Sequence, residues 1–468
     1  MTGARILTEA DPRFDIEVPV AIIGAGAAGL VAALACREAG VEPLVLERDA
    51  VPRGSTSLSA GLIPAAGTRF QRAHGIVDDA ATFAEDIRRK AHGQAEPTLV
   101  RIVAQAAGPA IEWLADRFGL PFSVVHDFDY PGHSHRRMHG LPGRSGAELV
   151  DRLRAAAEAS DVPMLTEARV TTLIVDAAGA LRGLVAERPD GSAERIGARA
   201  IVLGCSGYAG NKALVRRYIP DLADAVYFGH PGNEGEAPAW GEQLHAELRD
   251  MTGHQGHGSV AHPQGILVSW AVIMEGGFQV NLYGQRFWNE GSGYSEAGVA
   301  VMGQPDHVAW QIWDTRCEEI AIQMHSHGEA QKAGAIKVCN TVENIARMVG
   351  CDSATLAQTI GEVADIVRGK SADPFGRDFG DKPVLEAPYN VCKIMGALFH
   401  TQGGLEVNKE GRVLRTNGTP FPNLFAGGGA ARGLSGPSDW GYLSGSGLLM
   451  ATNLGRLSGE AAAAMVKK

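Results

Sequence analysis

Six residues near the start of the chain, Gly24-Ala25-Gly26-Ala27-Ala28-Gly29, have the types and spacing to hold a pyrophosphate. In a GxGxxG pattern the first glycine allows a tight turn and the second leaves the backbone bare where phosphate oxygens approach. The third lets the following helix pack closely on its strand. The phosphates then meet the unpaired N–H groups of that helix's first turn. Glu47, 18 residues beyond Gly29, is spaced to accept hydrogen bonds from a ribose. Metal chemistry is not expected: Cys36, Cys205, Cys317, Cys339, Cys351 and Cys392 form no CxxC pair. The histidines at 126, 133, 135, 139, 254, 257 and 262 show no HExxH or Cys/His ligand spacing.

The motif means what it suggests only if a strand precedes it and a helix follows. Residues 18–23 form an apolar run that reads as a buried parallel strand, and 24–40 opens with glycines and continues as an alanine-rich helix. A second apolar run, 43–46, ends at Glu47. Farther on, 76–118 and 145–160 read as helical, and 169–187 and 196–203 as strands around the turn Pro189-Asp190-Gly191. Residues 213–265 are rich in glycine and histidine and match no regular period. A strand at 277–281 follows, then helical periodicity over 340–369 and a break at 371–374. Strand and glycine-loop character returns at 403–407 and 423–428 before a closing helix. The first domain is therefore expected to be discontinuous, 1–262 with 395–468, and a second domain, 263–394, to be inserted in it.

A chain of 468 residues with 45% hydrophobic and 21% charged residues suits a two-domain globular enzyme. Its 60 glycines exceed the usual share of about 7%, so much of the backbone must turn tightly or approach something closely. A formal charge of -10 argues against nucleic acid as a partner, because neutralising phosphates needs a basic face. No apolar leader core occupies the first 17 residues and no 18-residue apolar run occurs, so no membrane span and a soluble, cytoplasmic location are expected.

Several segments carry a resemblance. Glu47-Arg48, Gly54-Ser55-Thr56, Ser59-Ala60-Gly61, the stretch GCSGYAGN at 204–211 and FPNLFAGG at 421–428 resemble, in order, the flavin-contacting segments of the fumarate reductase and succinate dehydrogenase flavoprotein superfamily. The resemblance spans most of the chain. It implies an α/β fold with a Rossmann-like, glutathione-reductase-type FAD-binding domain and an inserted α+β capping domain, the active site lying between them. It also implies FAD contacts at Gly24, Gly26, Ala28, Gly29, Glu47, Arg48, Ser55, Thr56, Ser59, Ala60, Gly61, Val170, Gly207, Gly427, Ser446 and Leu448. Succinate dehydrogenases attach FAD through a histidine in the segment matching 54–61, which has none here, so the FAD is expected to be noncovalent. No second glycine fingerprint suggests a nicotinamide domain, and an unidentified electron acceptor must recycle the flavin.

The same resemblance supplies catalytic candidates. Phe399-His400-Thr401-Gln402-Gly403-Gly404 resembles the HTxGG motif, aiming His400 at substrate, with a structural histidine as the alternative. His262-Pro263-Gln264 resembles the HPT stretch, but the Thr-Glu that follows it in fumarate reductases is Ser269-Trp270 here. Gly284-Gln285-Arg286-Phe287-Trp288-Asn289-Glu290 resembles the GKRFVNE motif, whose arginine donates a proton; an Arg286 merely paired to acid fits equally well. Counting back from Gly455-Arg456-Leu457, the arginine that clamps a carboxylate in fumarate reductases falls on Tyr442. A phenol cannot supply a bidentate cation, so fumarate and succinate are poor substrates for this sequence.

Tyrosine at that place resembles ketosteroid and cyclohexanone dehydrogenases, in which a tyrosine hydroxyl and a glycine N–H polarise a ketone oxygen. A second tyrosine, four residues past the glutamate of RFxxE, takes the α proton; here that is Tyr294. The expected reaction is dehydrogenation of a small cyclic ketone, such as 4-oxocyclohexanecarboxylate, or of a 3-ketosteroid. Tyr442 with the Gly447 or Gly445 N–H would hold the carbonyl, Tyr294 would accept the proton, and the flavin would accept the β hydride. Two other readings stay open: an ene reductase of the fumarate or urocanate reductase kind, and a flavin-binding electron-transfer subunit whose tyrosines are only core packing. The sequence is also compatible with a homo-oligomer.

Overall fold

The computed structural model of the chain describes residues 3–126 and 128–468. It separates into two compact units, Met1–Tyr218 with Gly229–His254 and His400–Lys468, and Ile219–Phe228 with Gln255–Phe399. Residues 219–228 and 255–262, which the sequence expectation placed with the dinucleotide domain, thus belong to the second unit, as do 395–399.

The first unit is built on a nine-stranded sheet. Its centre is parallel: Ala193–Leu203 pairs with Ile16–Ile23, which pairs with Pro43–Leu46, and on its other side with Pro420–Ala426. Arg169–Val175, Leu181–Glu187 and the first half of Ala193–Leu203 form an antiparallel meander. The helix Ala27–Glu38 has no polar face, and residues 27–36 are all buried. Such a helix needs cover all round. The closing helix Ser446–Val466 provides it, because Gly455 and Gly459 let its backbone approach: a Cβ at 455 would lie 2.5 Å from the carbonyl oxygen of Ala28.

The second unit holds a seven-stranded sheet with Tyr389–Thr401 at its centre, paired antiparallel with Val308–Asp314, which in turn pairs with Phe278–Val280. The unassignable stretch 213–265 contains the short helices Lys212–Tyr218 and Glu236–Gln243 and the strand His254–Ala261, whose eight residues are all buried. Its sequence, HQGHGSVA, lacks the β-branched alternation that marks a strand. The helical stretch 340–369 is two helices, Val342–Val349 and Ser353–Val367. They are separated by Gly350 at φ 85° and by Asp352, which caps the second by accepting from the Thr355 N–H. Residues 76–118 likewise resolve into Ala80–Lys90 and Pro97–Phe118. No helix among the described residues is long and apolar enough to cross a membrane.

Candidate active site

In the first unit the glycine motif forms the turn between Ile16–Ile23 and Ala27–Glu38. Two of its three glycines are required by the protein's own packing. Gly24 sits at φ 100° with a Cβ position 2.6 Å from the Gly204 oxygen, and a Cβ on Gly29 would collide with the Gly24 carbonyl. Gly26 differs: a Cβ there would find only the Thr56 hydroxyl, at 3.4 Å. The protein does not fill that space, and the helix N-terminus at Gly26 has no side-chain cap and no acid in its first turn. Bare backbone beside uncapped N–H groups is an anion cradle.

Around the cradle, the buried Glu47 carboxylate accepts from the Ala25 N–H at 2.8 Å and the Asp49 N–H at 3.0 Å, and Thr56 Oγ1 accepts from the Ala27 N–H at 3.0 Å. Arg48 donates to the Gly232 oxygen at 2.8 Å, and Ser55 Oγ accepts from Asn233 at 2.7 Å. The turn at 54–61 is closed by Ser59, whose hydroxyl donates to the Thr56 oxygen and accepts from the Gly61 N–H. Ala60 is exposed, and Val170 lies buried in Arg169–Val175 opposite Ala186. A Cβ on Gly207 would collide with the Thr401 hydroxyl, and one on Gly427 would lie 3.1 Å from the Gly455 nitrogen. At the start of the closing helix, half-buried Leu448 lies near Ser446, whose hydroxyl is 1% exposed yet has no hydrogen-bond partner, beneath another N-terminus with no side-chain cap. A buried polar atom without a partner is rare in a folded protein and points to a ligand.

Beside that terminus the structure brings together three of the catalytic candidates. The rings of His400 and Tyr442 meet edge to face at 5.3 Å. The backbone N–H groups of Gly445 and Gly447 are directed at the Tyr442 hydroxyl; they favour its ionised form, but burial outweighs them and pushes the phenol up to about 12. It is therefore a committed proton donor at neutral pH. A Cβ on Gly447 would crowd the imidazole, at 3.0 Å from His400 Nε2. Burial pulls His400 down to about 4, so it is neutral. Gln402 Nε2 donates to His400 Nδ1 at 3.1 Å while Gln402 Oε1 accepts from Ser435 at 3.0 Å. His400 Nδ1 also lies 3.3 Å from the Thr401 carbonyl oxygen, so it is shared between an amide donor and a carbonyl acceptor, while Nε2 lies beside Gly447. The result is a phenol O–H backed by two backbone N–H groups, beside a neutral imidazole, with no formal charge.

The other two candidates belong to the second unit. Tyr294 begins the helix Tyr294–Met302 directly after Gly293 and stacks on His257 with ring centroids 4.9 Å apart. Arg286 is taken up by carboxylates: Nε and Nη2 donate to Glu290 at 3.0 and 2.6 Å, and Nη1 donates to Asp373 at 2.5 Å. Arg377 adds a second cation on Glu290 at 3.2 Å. With side-chain exposures of 5%, 0% and 1% for Arg286, Glu290 and Asp373, this is a closed ionic cluster, and Arg286 is held further from deprotonation than a free arginine. Arg286 is thus paired to acid at three of its nitrogens. His262 ends the strand His254–Ala261, half-buried, its backbone bound to Lys393. Among the described residues no group of His, Cys, Asp or Glu is arranged to hold a metal ion.

Sequence reasoning missed Gln402 as a partner of His400, although it stands within the HTxGG-like motif, and missed His257 and Asp373, whose partners are distant in sequence.

A family model described as "FAD binding domain" matches residues 19–448. The chain is 29% identical over 450 residues to a probable fumarate reductase, Ifc3, of Shewanella frigidimarina (strain NCIMB 400), covering 95% of this chain and 74% of that protein. It is 24% identical over 515 residues to the 4-oxocyclohexanecarboxylate 2-dehydrogenase of Sinomonas cyclohexanicum, covering 88% and 87%. Its fold superposes with a TM-score of 0.80 and 24% identity on the 3-ketosteroid-delta4-(5alpha)-dehydrogenase of Rhodococcus jostii RHA1, covering 98% of this chain and 99% of that one. The bare Gly26, the two N-termini without side-chain caps and the unpartnered Ser446 hydroxyl fit the pyrophosphate and the polar ring edge of FAD.

Proposed function

Because the chain belongs to the FAD-binding-domain family of flavoproteins and is an FAD-dependent oxidoreductase of carbon–carbon bonds, we propose that it dehydrogenates an enolisable ketone to the α,β-unsaturated ketone. The observation that carries the proposal is the uncharged cluster in which the Tyr442 hydroxyl, backed by the Gly445 and Gly447 N–H groups, lies beside neutral His400. Donors held in advance around an oxygen stabilise the negative charge that develops as an α proton leaves, and they do so best where water is excluded. A carboxylate, already fully charged, calls for a guanidinium instead. The buried guanidiniums of Arg137, Arg286 and Arg377, and the half-buried Arg432, are each paired with acids of the chain itself.

In this reading the ketone oxygen accepts from the Tyr442 hydroxyl, whose oxygen the Gly445 and Gly447 N–H groups polarise. Neutral His400 adds a polar ring without a charge that would favour carboxylates. Tyr294 takes the α proton, and Arg286 holds the Gly284 to Glu290 loop rather than delivering protons. When bound, FAD would supply the acceptor for the β hydride, and an electron acceptor of separate identity would be needed to recycle it. Small cyclic ketones such as 4-oxocyclohexanecarboxylate, and 3-ketosteroids, are the substrates to test.

One observation favours the reverse chemistry. The fumarate reductase relative is more similar, at 29% identity, than the dehydrogenase relative, at 24%. Anaerobic mixing of the FAD-loaded protein with 4-oxocyclohexanecarboxylate, a 3-ketosteroid, fumarate and urocanate separates the two. Bleaching near 450 nm by a ketone supports the dehydrogenase; reoxidation of prereduced protein by fumarate or urocanate, without bleaching by ketones, sinks it.

A further inference from the structure

The Gly256-His257-Gly258 segment, which no sequence pattern explained, lies along the helix that carries Tyr294. A Cβ on Gly256 would stand 2.5 Å from the Ser295 oxygen, one on Gly258 would collide with Ala297, and one on Gly298 would stand 2.9 Å from the His257 nitrogen. Both backbones are bare where they meet, and the Gly256 N–H donates to Ser295 Oγ at 3.0 Å. This close approach brings His257, the only side chain between the two glycines, ring to ring with Tyr294 at 4.9 Å and 15°.

The pair is the end of a longer column. Behind His257 lies Phe399, at 5.1 Å and 23°, and behind Phe399 lies Phe228, at 4.9 Å and 14°. Trp270 meets both His257 and Tyr294 edge-on, at 5.8 and 6.4 Å. Tyr294 needs such support because its own backbone offers little: it is the first residue of its helix, and it follows Gly293 at φ 135° with no side-chain cap. Face-to-face stacking also constrains what His257 can do. The ring nitrogens lie in the imidazole plane, so a histidine stacked on the phenol presents its face, not a hydrogen bond. His257 Nδ1 is buried and has no hydrogen-bond partner. Burial in this aromatic setting holds the ring neutral, down to about 3.

We propose that His257 is a positioning residue for Tyr294: its imidazole face, backed by Phe399 and Phe228, fixes the plane of the phenol and so the direction in which the hydroxyl meets the substrate's α carbon. The inference rests on Tyr294 being the proton acceptor proposed above. A group that only orients another can matter greatly, since a misplacement of about 1 Å costs on the order of 100-fold in rate.

The test uses the full FAD-loaded chain with 4-oxocyclohexanecarboxylate as the ketone, and in parallel fluorine NMR of protein labelled with 3-fluorotyrosine. The Tyr294 signal, one of eight tyrosines, is identified by its loss in Tyr294→Phe. His257→Phe keeps the stack and is expected to leave the Tyr294 resonance in place and kcat within about 3-fold. His257→Ala is expected to shift that resonance and to lower kcat about 10- to 100-fold with KM nearly unchanged. On a Tyr294→Phe background it should cost nothing further. An unmoved resonance in His257→Ala, equal damage from His257→Phe, or full additivity with Tyr294→Phe overturns the proposal. Should Tyr294→Phe stay fully active, the proton-acceptor role fails instead, and the fluorine spectra alone decide whether His257 orders the ring.

Discussion

The rings of His400 and Tyr442 meet edge to face at 5.3 Å, and Gly447, where a Cβ would crowd His400 Nε2 at 3.0 Å, directs its N–H at the same hydroxyl. Two long-range placements and one missing side chain thus produce a cluster of neutral donors at the mouth of the closing helix.

Tyr442→Phe keeps the ring and removes the O–H. Loss of one donor from such a cluster is expected to lower kcat about 100- to 1,000-fold while the bound flavin spectrum persists. Stopped-flow reduction by a ketone measures this, and an unimpaired variant would remove Tyr442 from the reaction.

The glycine motif should divide on substitution. Gly26→Ala has room in the protein and is expected to fold but to bind FAD weakly, because the new methyl occupies the cradle. Gly29→Ala meets the Gly24 carbonyl and is expected to fail as a fold, with or without flavin. Flavin content and the urea midpoint of each variant read the difference; equal stability would contradict the packing described for Gly29. Acid precipitation of the wild type should release all its FAD, since 54–61 contains no histidine to hold it covalently.

Arg286→Gln strands Glu290 and Asp373 inside the second unit. Breaking a buried ion pair in this way costs about 3 to 5 kcal/mol, which urea unfolding would detect. A variant as stable as wild type but inactive would return Arg286 to the role of proton donor.

Stability should fall in mild acid. Burial lowers His257 to about 3 and His133, His139 and His400 to about 4, against 6.5 when unfolded. Between those values the unfolded chain binds more protons, so stability rises with pH through the window, is fully present above 6.5, and is lost on acidification. Glu236 and Glu406, raised by burial, act in the opposite sense, two groups against four. The groups around these imidazoles include Arg137, Asp78 and Asp86 for His133, Asp78 for His139 and His254 for His400, whereas His257 is faced by the rings of Tyr294, Phe399 and Trp270. Urea midpoints at pH 7, 6 and 5 should decline, and less steeply in His257→Phe; a flat series would mean these imidazoles are not buried in the neutral form.

The sequence by itself determined the dinucleotide cradle, because that feature is local: a strand, three glycines at fixed intervals, a helix start and an acid at the next strand end all follow from backbone geometry within 24 residues, 24–47. It also indicated Tyr442 and its glycines, which sit within six residues, 442–447. Other relationships needed the tertiary structure. Arg286 and Asp373 are 87 residues apart, so whether the arginine is free or neutralised depends on where a distant loop lies. His257 and Tyr294 are joined because glycines at 256, 258 and 298 remove the atoms that would keep a strand and a helix apart. A glycine's absence of a side chain carries no address in the sequence; only the packed chain shows which backbone it was left bare to meet.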